Sequence, residues 1–251
     1  MVQRVSTGEG RARKSVTLSR LIKSGIGLCA VALLLSGCAQ GYKNEHGQWA
    51  FVFWNEGNGR QVESVKQAEA ASFEQLKPWE YARDKNHVYW RGDIIASADP
   101  RTFEHVAGRY TKDNQHVFID QRIVKDADPA TFQKVHGEEI LGRDKNDFYY
   151  GDEPFHVLDA ASFEMINDGW AKDSRAYYAY GYAHYIRRAD CDYMSMKILN
   201  GSWAKDKNRA YYQGIPIEGV DVNSFRVTGE FSAIDNHRAY DGPGIQSPHN
   251  D

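Results

Sequence analysis

Aspartate is the chemically capable side chain that recurs most regularly along this sequence. Six aspartates follow one another at spacings of 29, 31, 29, 33 and 29, namely Asp84, Asp113, Asp144, Asp173, Asp206 and Asp235. Calcium prefers clustered oxygen ligands of this kind. Here, however, Lys or Arg precedes five of the six and Lys follows three of them. We therefore expect these aspartates to accept hydrogen bonds in tight turns and not to bind calcium.

The remaining groups that can do acid–base or nucleophilic chemistry show no constellation. Only His87 and His116 share a position relative to the repeated aspartate, and the other units carry Asp, Ala or Arg there, which is typical of a solvent-facing position. His136-Gly-Glu-Glu139 lacks the second histidine of a zinc helix, and no phosphate loop or nucleophile elbow is present. We predict no catalytic residue, no metal and no cofactor. A hydrolase whose site sequence reasoning cannot assemble is the least favoured alternative.

The three cysteines divide between an N-terminal leader and the body of the chain. A basic stretch precedes an apolar run from Ile26 to Leu35, which is too short to span a bilayer and is typical of an export signal. The run ends in Leu35-Ser-Gly-Cys38, which resembles the lipobox of bacterial lipoproteins. This resemblance implies cleavage before Cys38, acylation of Cys38 and anchoring in the bacterial cell envelope. Ala39 in place of Asp favours the outer membrane.

Removal of the leader changes the charge and leaves one thiol alone. Residues 1–37 contain six Lys or Arg and one Glu, so the mature chain has 25 basic and 33 acidic residues, a net charge of −8. That balance argues against nucleic acid as a partner, because nucleic acids bind basic surfaces. Cys191 then has no intramolecular partner, so packing must stabilise the domain without a disulfide.

Two motifs alternate along the chain with a period of about 30 residues, which is typical of repeat architectures. In the first motif, a small residue lies two positions before each repeated aspartate and an aromatic residue lies five positions after it. This pattern predicts a β-hairpin. The second motif reads Ala98-Asp99-Pro-Arg-Thr-Phe103 and Ala127-Asp-Pro-Ala-Thr-Phe132, which predicts a capped short helix. The expected fold is a β-rich α+β repeat, each unit a hairpin followed by a short helix.

Four segments follow from this reading. We predict a lipoprotein signal peptide over 1–37, a lipid-anchored tether over 38–48, a single repeat domain over 49–242 and a disordered tail over 243–251.

The repeat resembles the DKNYY family of bacterial proteins. Asp-Lys-Asn followed by paired aromatics occurs as Asp144-Lys-Asn-Asp-Phe-Tyr-Tyr150 and as Asp206-Lys-Asn-Arg-Ala-Tyr-Tyr212. The resemblance covers residues 68 to 242. It implies a repeat architecture and transfers no catalytic residue.

One unit departs from the pattern. Between Asp173 and Asp206 the spacing grows to 33, and the helix motif degrades to Ala189-Asp-Cys-Asp-Tyr-Met194. Repeat proteins place their variation on a binding face, and Tyr and Arg are favoured at interfaces. The alternative is a drifted unit with no role. The candidate partner-binding residues are Tyr180, Tyr182, His184, Tyr185, Arg187 and Arg188.

The linkers between the two motifs alternate in length. The spacing from the apolar end of the second motif to the next repeated aspartate is 10, 12, 10, 12 and 10, counted from Phe103, Phe132, Phe163, Met194 and Phe225. This predicts two kinds of junction, with an extra turn or bulge in 132–144 and 194–206.

Taken together, these features favour a non-enzymatic, lipid-anchored envelope protein that binds another macromolecule, either a protein or an envelope polymer. The alternative is a periplasmic immunity or inhibitor lipoprotein that neutralises a toxin.

Overall fold

The chain is built almost entirely from short antiparallel strands. The computed structural model describes residues 40–181, 185–242 and 244–248. In this part the backbone forms 27 strands in seven sheets, together with two 3-10 helices at Ala160–Ser162 and Tyr193–Ser195. The expected α+β fold with a helix after each hairpin is therefore wrong.

The first sheet has three strands and the other six have four. Sheet 1 contains β1 (Gly41–Glu45), β2 (Gln48–Asn55) and β3 (Gly59–Ser64). In every sheet the strands pair in chain order, each antiparallel to the next. Sheet 2 contains β4 (Glu74–Gln75), β5 (Tyr81–Arg83), β6 (Val88–Trp90) and β7 (Asp93–Ile94), and sheet 3 contains β8 (Glu104–Ala107), β9 (Tyr110–Lys112), β10 (Val117–Ile119) and β11 (Arg122–Ile123). Sheet 4 contains β12 (Gln133–Lys134), β13 (Leu141–Arg143), β14 (Phe148–Tyr150) and β15 (Glu153–Pro154), and sheet 5 contains β16 (Glu164–Asn167), β17 (Trp170–Lys172), β18 (Tyr177–Gly181) and β19 (Tyr185–Arg188). Sheet 6 contains β20 (Lys197–Ile198), β21 (Trp203–Lys205), β22 (Ala210–Tyr212) and β23 (Ile215–Ile217), and sheet 7 contains β24 (Arg226–Val227), β25 (Ser232–Ile234), β26 (Arg238–Asp241) and β27 (Gly244–Pro248).

The predicted hairpins are confirmed as the second and third strands of each four-stranded sheet. In sheet 2 the backbone N–H of Asp84 donates to the carbonyl of His87 (2.9 Å), and β5 pairs with β6 on either side of this turn. The same backbone bond closes the turn at each of the other five repeated aspartates.

The predicted helix is a single turn. Asp99 does cap it, since its Oδ1 accepts the Arg101 N–H at 3.0 Å, and the Phe103 N–H donates to the Asp99 carbonyl at 3.0 Å. The next residue, Glu104, already begins β8 and pairs with Lys112. One turn is too short to be a stable helix by itself, and pairing with the neighbouring strand satisfies the following backbone groups instead.

An apolar residue at the end of each turn is inserted between two consecutive sheets. Phe225 lies between Trp203 of sheet 6, with ring centroids 5.7 Å apart, and Tyr240 of sheet 7, at 5.8 Å. We call the residues at this position the plug residues: Phe73, Phe103, Phe132, Phe163, Met196 and Phe225.

In five of the six units, the small residue two before the repeated aspartate packs with a plug residue. Ala204 is fully buried, and a Cβ built on Gly142 would lie 2.3 Å from Cζ of Phe132. Each of the six hydrophobic clusters in the described part joins one sheet to the next along the chain. The molecule is therefore stabilised by contacts between neighbours, as in repeat proteins generally.

The sheets extend beyond both predicted domain boundaries. Strand β1 lies inside the stretch predicted as a tether, and β27 lies inside the stretch predicted as a tail. Tyr42 explains the first difference, because its ring is buried, its hydroxyl donates to the carbonyl of Glu80 at 3.0 Å and the Gly92 N–H donates to that hydroxyl at 3.0 Å. The signal peptide predicted over 1–37, and Cys38, lie outside the described residues.

The predicted alternation of junctions is wrong because Met196, and not Met194, ends the turn before sheet 6. Met194 is 90% exposed, whereas Met196 is 9% exposed and is the plug residue. The spacing from Met196 to Asp206 is 10, as at most other junctions. The extra turn predicted in 132–144 is present, with the Glu138 N–H bonded to the carbonyl of Val135. The bulges recorded at the junctions occur between His105 and Ala107 and between Met165 and Asn167, outside both predicted stretches.

Candidate functional site

The repeated aspartates are occupied by hydrogen bonds within the fold. Oδ1 of Asp206 accepts the backbone N–H groups of Asn208 and Arg209, both at 2.7 Å. Its Oδ2 accepts the N–H of Asp192 at 2.8 Å and the hydroxyl of Tyr211 at 2.6 Å. Each aspartate thereby joins its own hairpin to the single turn that precedes the sheet. The predicted turn role is confirmed at all six positions.

A Ser or Thr hydroxyl completes this aspartate network. In sheet 6 the hydroxyl of Ser195 donates to Oδ1 of Asp192 (2.7 Å) and accepts the N–H of Lys207 (3.0 Å). Sequence reasoning missed these hydroxyls, although each one immediately precedes a plug residue. The equivalent residues are Ser72, Thr102, Thr131, Ser162 and Ser224.

In five of the six units, the network keeps the repeated carboxylate ionised despite its burial. Burial is the largest single influence on Asp235 and raises its pKa, but the Tyr240 hydroxyl and three backbone N–H groups together outweigh it and bring the pKa down to about 2. The pKa values of Asp84, Asp144, Asp173 and Asp206 are lowered by the same balance. Within the described residues, no three His, Cys, Asp or Glu side chains form a group that could hold a metal ion.

Sheet 3 has a gap in the network. Phe118 stands where the other five sheets have tyrosine, so Oδ2 of Asp113 accepts the Asp99 N–H at 2.9 Å without a phenol hydroxyl beside it. Sheet 2 is otherwise closely similar, with His87 and Tyr89 at the positions of His116 and Phe118. Comparison of these two units therefore shows how much the phenol hydroxyl contributes to stability.

The irregular unit is a lengthened hairpin between the third and fourth strands of sheet 5. Other sheets join these strands with two residues, such as Gln213 and Gly214, which both have left-handed backbone (φ 49° and 77°) as a tight hairpin requires. In sheet 5 the pairing continues outward, with Tyr180 opposite Ile186 and Gly181 opposite Tyr185. The longer spacing between Asp173 and Asp206 is accounted for by this extension.

The structure separates the six candidate partner-binding residues. Tyr180 is 5% exposed, its ring packs edge-on against Tyr150 with centroids 4.8 Å apart, and its hydroxyl donates to the carbonyl of Asn167. It therefore belongs to the core, which corrects its assignment as a contact residue. Tyr182 and His184 lie outside the described residues.

The other three candidates lie along β19. The guanidinium of Arg187 lies 5.5 Å from the centre of the Tyr185 ring and donates to the carbonyl of Gln213 at 2.7 Å. Arg187 and Tyr185 are half-buried, and Arg188 is exposed. Strand β19 thus presents a fixed aromatic–guanidinium pair on one face and the exposed Arg188, which lies opposite Tyr178, on the other.

Cys191 is a poor nucleophile in this setting. It is half-buried, and burial raises the pKa of its thiol to about 11, with the carboxylates of Asp206 and Asp190 contributing in the same direction. The thiolate that would react or bind metal is therefore scarce at neutral pH.

A groove of about 460 Å³ lies between sheets 2 and 3. Both arginines that line it already have partners, since Arg109 forms an ion pair with Asp120 and Arg91 lies 3.9 Å from a carboxylate oxygen of Glu80. Arg91 also covers the ring of Trp90 at 4.9 Å. The groove consequently offers no converging set of unpaired groups of the kind that a catalytic centre needs.

Consecutive small antiparallel sheets, joined by plug residues and by one repeated aspartate network, define a tandem-repeat β protein. The model of the DKNYY family matches residues 50–182 and again residues 81–243, and the chain belongs to that family. The two matches overlap; the second begins 31 residues after the first, about one repeat, and ends 61 residues after it, about two repeats. No curated protein and no solved structure matches the chain. No helix in the described part is long and apolar enough to cross a membrane.

Proposed function

We propose that this chain is a non-enzymatic, lipid-anchored protein of the bacterial cell envelope that binds another macromolecule through the hairpin β18–β19. The observation that supports this proposal is that the repeat pattern is interrupted at this hairpin. The residues that recur from unit to unit are used by turns and plugs, whereas this hairpin is lengthened and its second strand, β19, carries Tyr185, Arg187 and Arg188.

The chemistry of the hairpin favours a partner with carboxylate or phosphate groups. Arg188 is exposed, and the Arg187–Tyr185 pair holds a second guanidinium in place, which limits the side-chain entropy lost on binding. The mature chain carries a net charge of −8, so this basic edge stands out from its surroundings. An acidic protein segment or an anionic envelope polymer has the complementary charge.

Affinity capture from envelope extract tests the proposal. The mature domain carrying Arg188→Glu should retain at least tenfold less of a specific partner than the unaltered domain, because a like charge replaces an attractive one. Arg143→Glu is the matched control, since Arg143 is an exposed strand arginine in sheet 4. Equal recovery of every captured species by all three proteins would contradict the proposal. Recovery of a toxin as the Arg188-dependent partner would assign the immunity role.

A further inference from the structure

We infer that the edge of sheet 1 around Trp54 and Val62 rests on the surface of the lipid bilayer to which Cys38 is attached. This inference rests on the proposed lipid anchor and adds a second, non-covalent contact between the protein and the membrane.

The first argument is the shortness of the chain between the anchor and the fold. The folded unit begins at Gly41, the first residue of β1, and only three peptide units separate it from Cys38. Consecutive Cα atoms are about 3.8 Å apart, so the Cα atoms of Cys38 and Gly41 are at most about 11 Å apart. The Gly41 end of sheet 1 in an acylated chain is therefore held close to the headgroup region.

The second argument is which part of sheet 1 comes next to the anchor. Gly41 pairs with Val52, and Val52 in turn pairs with Val62 on the far side of the sheet. Trp54 is two residues beyond Val52, so its side chain emerges on the same face as those of Val52 and Val62. Val52 itself is buried, so the exposed apolar residues of this face near the end of β1 closest to the anchor are Trp54 and Val62.

The third argument is the exposure and type of these side chains. Trp54 is 60% exposed and Val62 is 46% exposed, although a terminal repeat usually turns a polar face to water. An indole has a large apolar ring and one N–H donor, and tryptophan is enriched at membrane–water interfaces for that reason. A bilayer surface within reach explains an exposed tryptophan at this end of the molecule.

The charges on the same face indicate how the contact forms. Arg60 lies opposite Trp54 and forms a 2.6 Å ion pair with Glu45, so these two charges cancel. Lys43 lies on the same face, because it pairs with Ala50 two residues before Val52, and it adds one cation. Insertion of the apolar side chains contributes most. The contact should accordingly form on zwitterionic vesicles and persist at high salt.

Depth-dependent fluorescence quenching tests the contact. All described sheets lie within residues 41–248, so a chain that starts at Cys38 retains every one of them. That chain, carrying Cys191→Ser, is coupled through the Cys38 thiol to a maleimide lipid in phosphatidylcholine vesicles that contain lipids brominated at shallow acyl positions. We expect tryptophan quenching that disappears in Trp54→Phe, remains in Trp90→Phe and is unchanged at high salt.

Absence of quenching, or equal quenching in Trp54→Phe and the parent, would overturn the inference. Quenching lost in Trp90→Phe instead would also overturn it, because it would place another face on the lipid. Chemical coupling bypasses cellular acylation, so the vesicle result stands apart from the anchor itself. The anchor is tested by labelling Cys38 with fatty acid in cells.

Discussion

At the scale of single residues, each unit contains one aspartate whose carboxylate accepts several hydrogen bonds. The aspartate and aromatic columns were predictable because they act within one hairpin, close together in sequence. The role of the Ser and Thr hydroxyls was not predictable, because each hydroxyl accepts a hydrogen bond from a backbone N–H 12 to 14 residues away. Met194 and Met196 are equally apolar, and the position of Ser195 in the network decides which of them enters the core.

Because sheet 3 lacks the phenol hydroxyl, we predict that restoring it at position 118 stabilises the protein. Phe118→Tyr should raise the free energy of unfolding by about 1.5–3 kcal/mol, the range for a hydrogen bond to a charged group, because Asp113 then gains the bond that Asp84 receives from Tyr89 at 2.7 Å. Urea unfolding measures the change. Tyr89→Phe is the reciprocal control and should lose a similar amount. A destabilised Phe118→Tyr protein would show that His116 leaves no room for the hydroxyl.

The network also predicts how stability depends on pH. The folded pKa of Asp235 is about 2, below its ordinary value of 3.8, so its contribution is complete above pH 4 and is lost as the pH falls toward 2. The pKa of Tyr240 is raised by burial and by the Asp235 carboxylate, so its contribution is complete below pH 10 and is lost above it. Melting temperatures should form a plateau from about pH 5 to 9.

Tyr240→Phe is the control for this profile. Removal of the hydroxyl takes away the alkaline contribution of Tyr240 and brings the pKa of Asp235 back toward 3.8, so both edges of the plateau should become less steep. An unchanged profile would show that the Tyr240–Asp235 pair does not govern either edge.

At the scale of elements, the middle two strands of each unit were predictable and the outer two were not. The hairpin carries a turn and alternating side chains, whereas strands such as β4, β12 and β20 have only two residues and show no period. The Asp-Pro signature marks the start of a helix or of a single turn equally well. What ends the turn is pairing with a strand that comes later in the chain, which a local motif does not contain.

The backbones at Gly169 and Gly201 approach each other so closely that we expect a side chain at position 169 to destabilise the protein. A Cβ on Gly169 would lie 1.9 Å from the carbonyl oxygen of Gly201, where sheets 5 and 6 meet. Gly169→Ala must therefore separate the two turns, and we expect a loss of about 1–3 kcal/mol, as for other overpacked sites. Gly57→Ala is the control, because the nearest atom to its Cβ is 3.5 Å away and neither glycine has a left-handed backbone.

Chemical denaturation of the two variants decides the point. Gly57→Ala should remain within about 0.5 kcal/mol of the parent. If Gly169→Ala is equally mild, the junction between sheets 5 and 6 is looser than the structure indicates.

At the scale of the whole molecule, the repeat period predicted a chain of similar units, and the structure contains them in six four-stranded sheets. The ends were the least predictable part. β1 and β27 contain none of the repeated motifs, and their pairing with β2 and β26 depends on edges that exist only once the neighbouring strands have formed.

The anchor gives the prediction that belongs to this scale. Cys38→Ser should leave an unprocessed or soluble precursor, because the lipid is attached through the cysteine sulfur. Metabolic labelling with a radioactive fatty acid measures the attachment, and Cys191→Ser is the control that should keep the label. Label retained in the Cys38→Ser protein would contradict the anchor.

The plug residues have a consequence for how such a chain changes in evolution. Each plug lies between the sheet before it and the sheet after it, and the junctions use similar kinds of side chain. Duplication or loss of one whole unit would therefore bring together two surfaces that already fit. The overall length can change in whole units without repacking the rest, while a single hairpin such as β18–β19 is free to diverge.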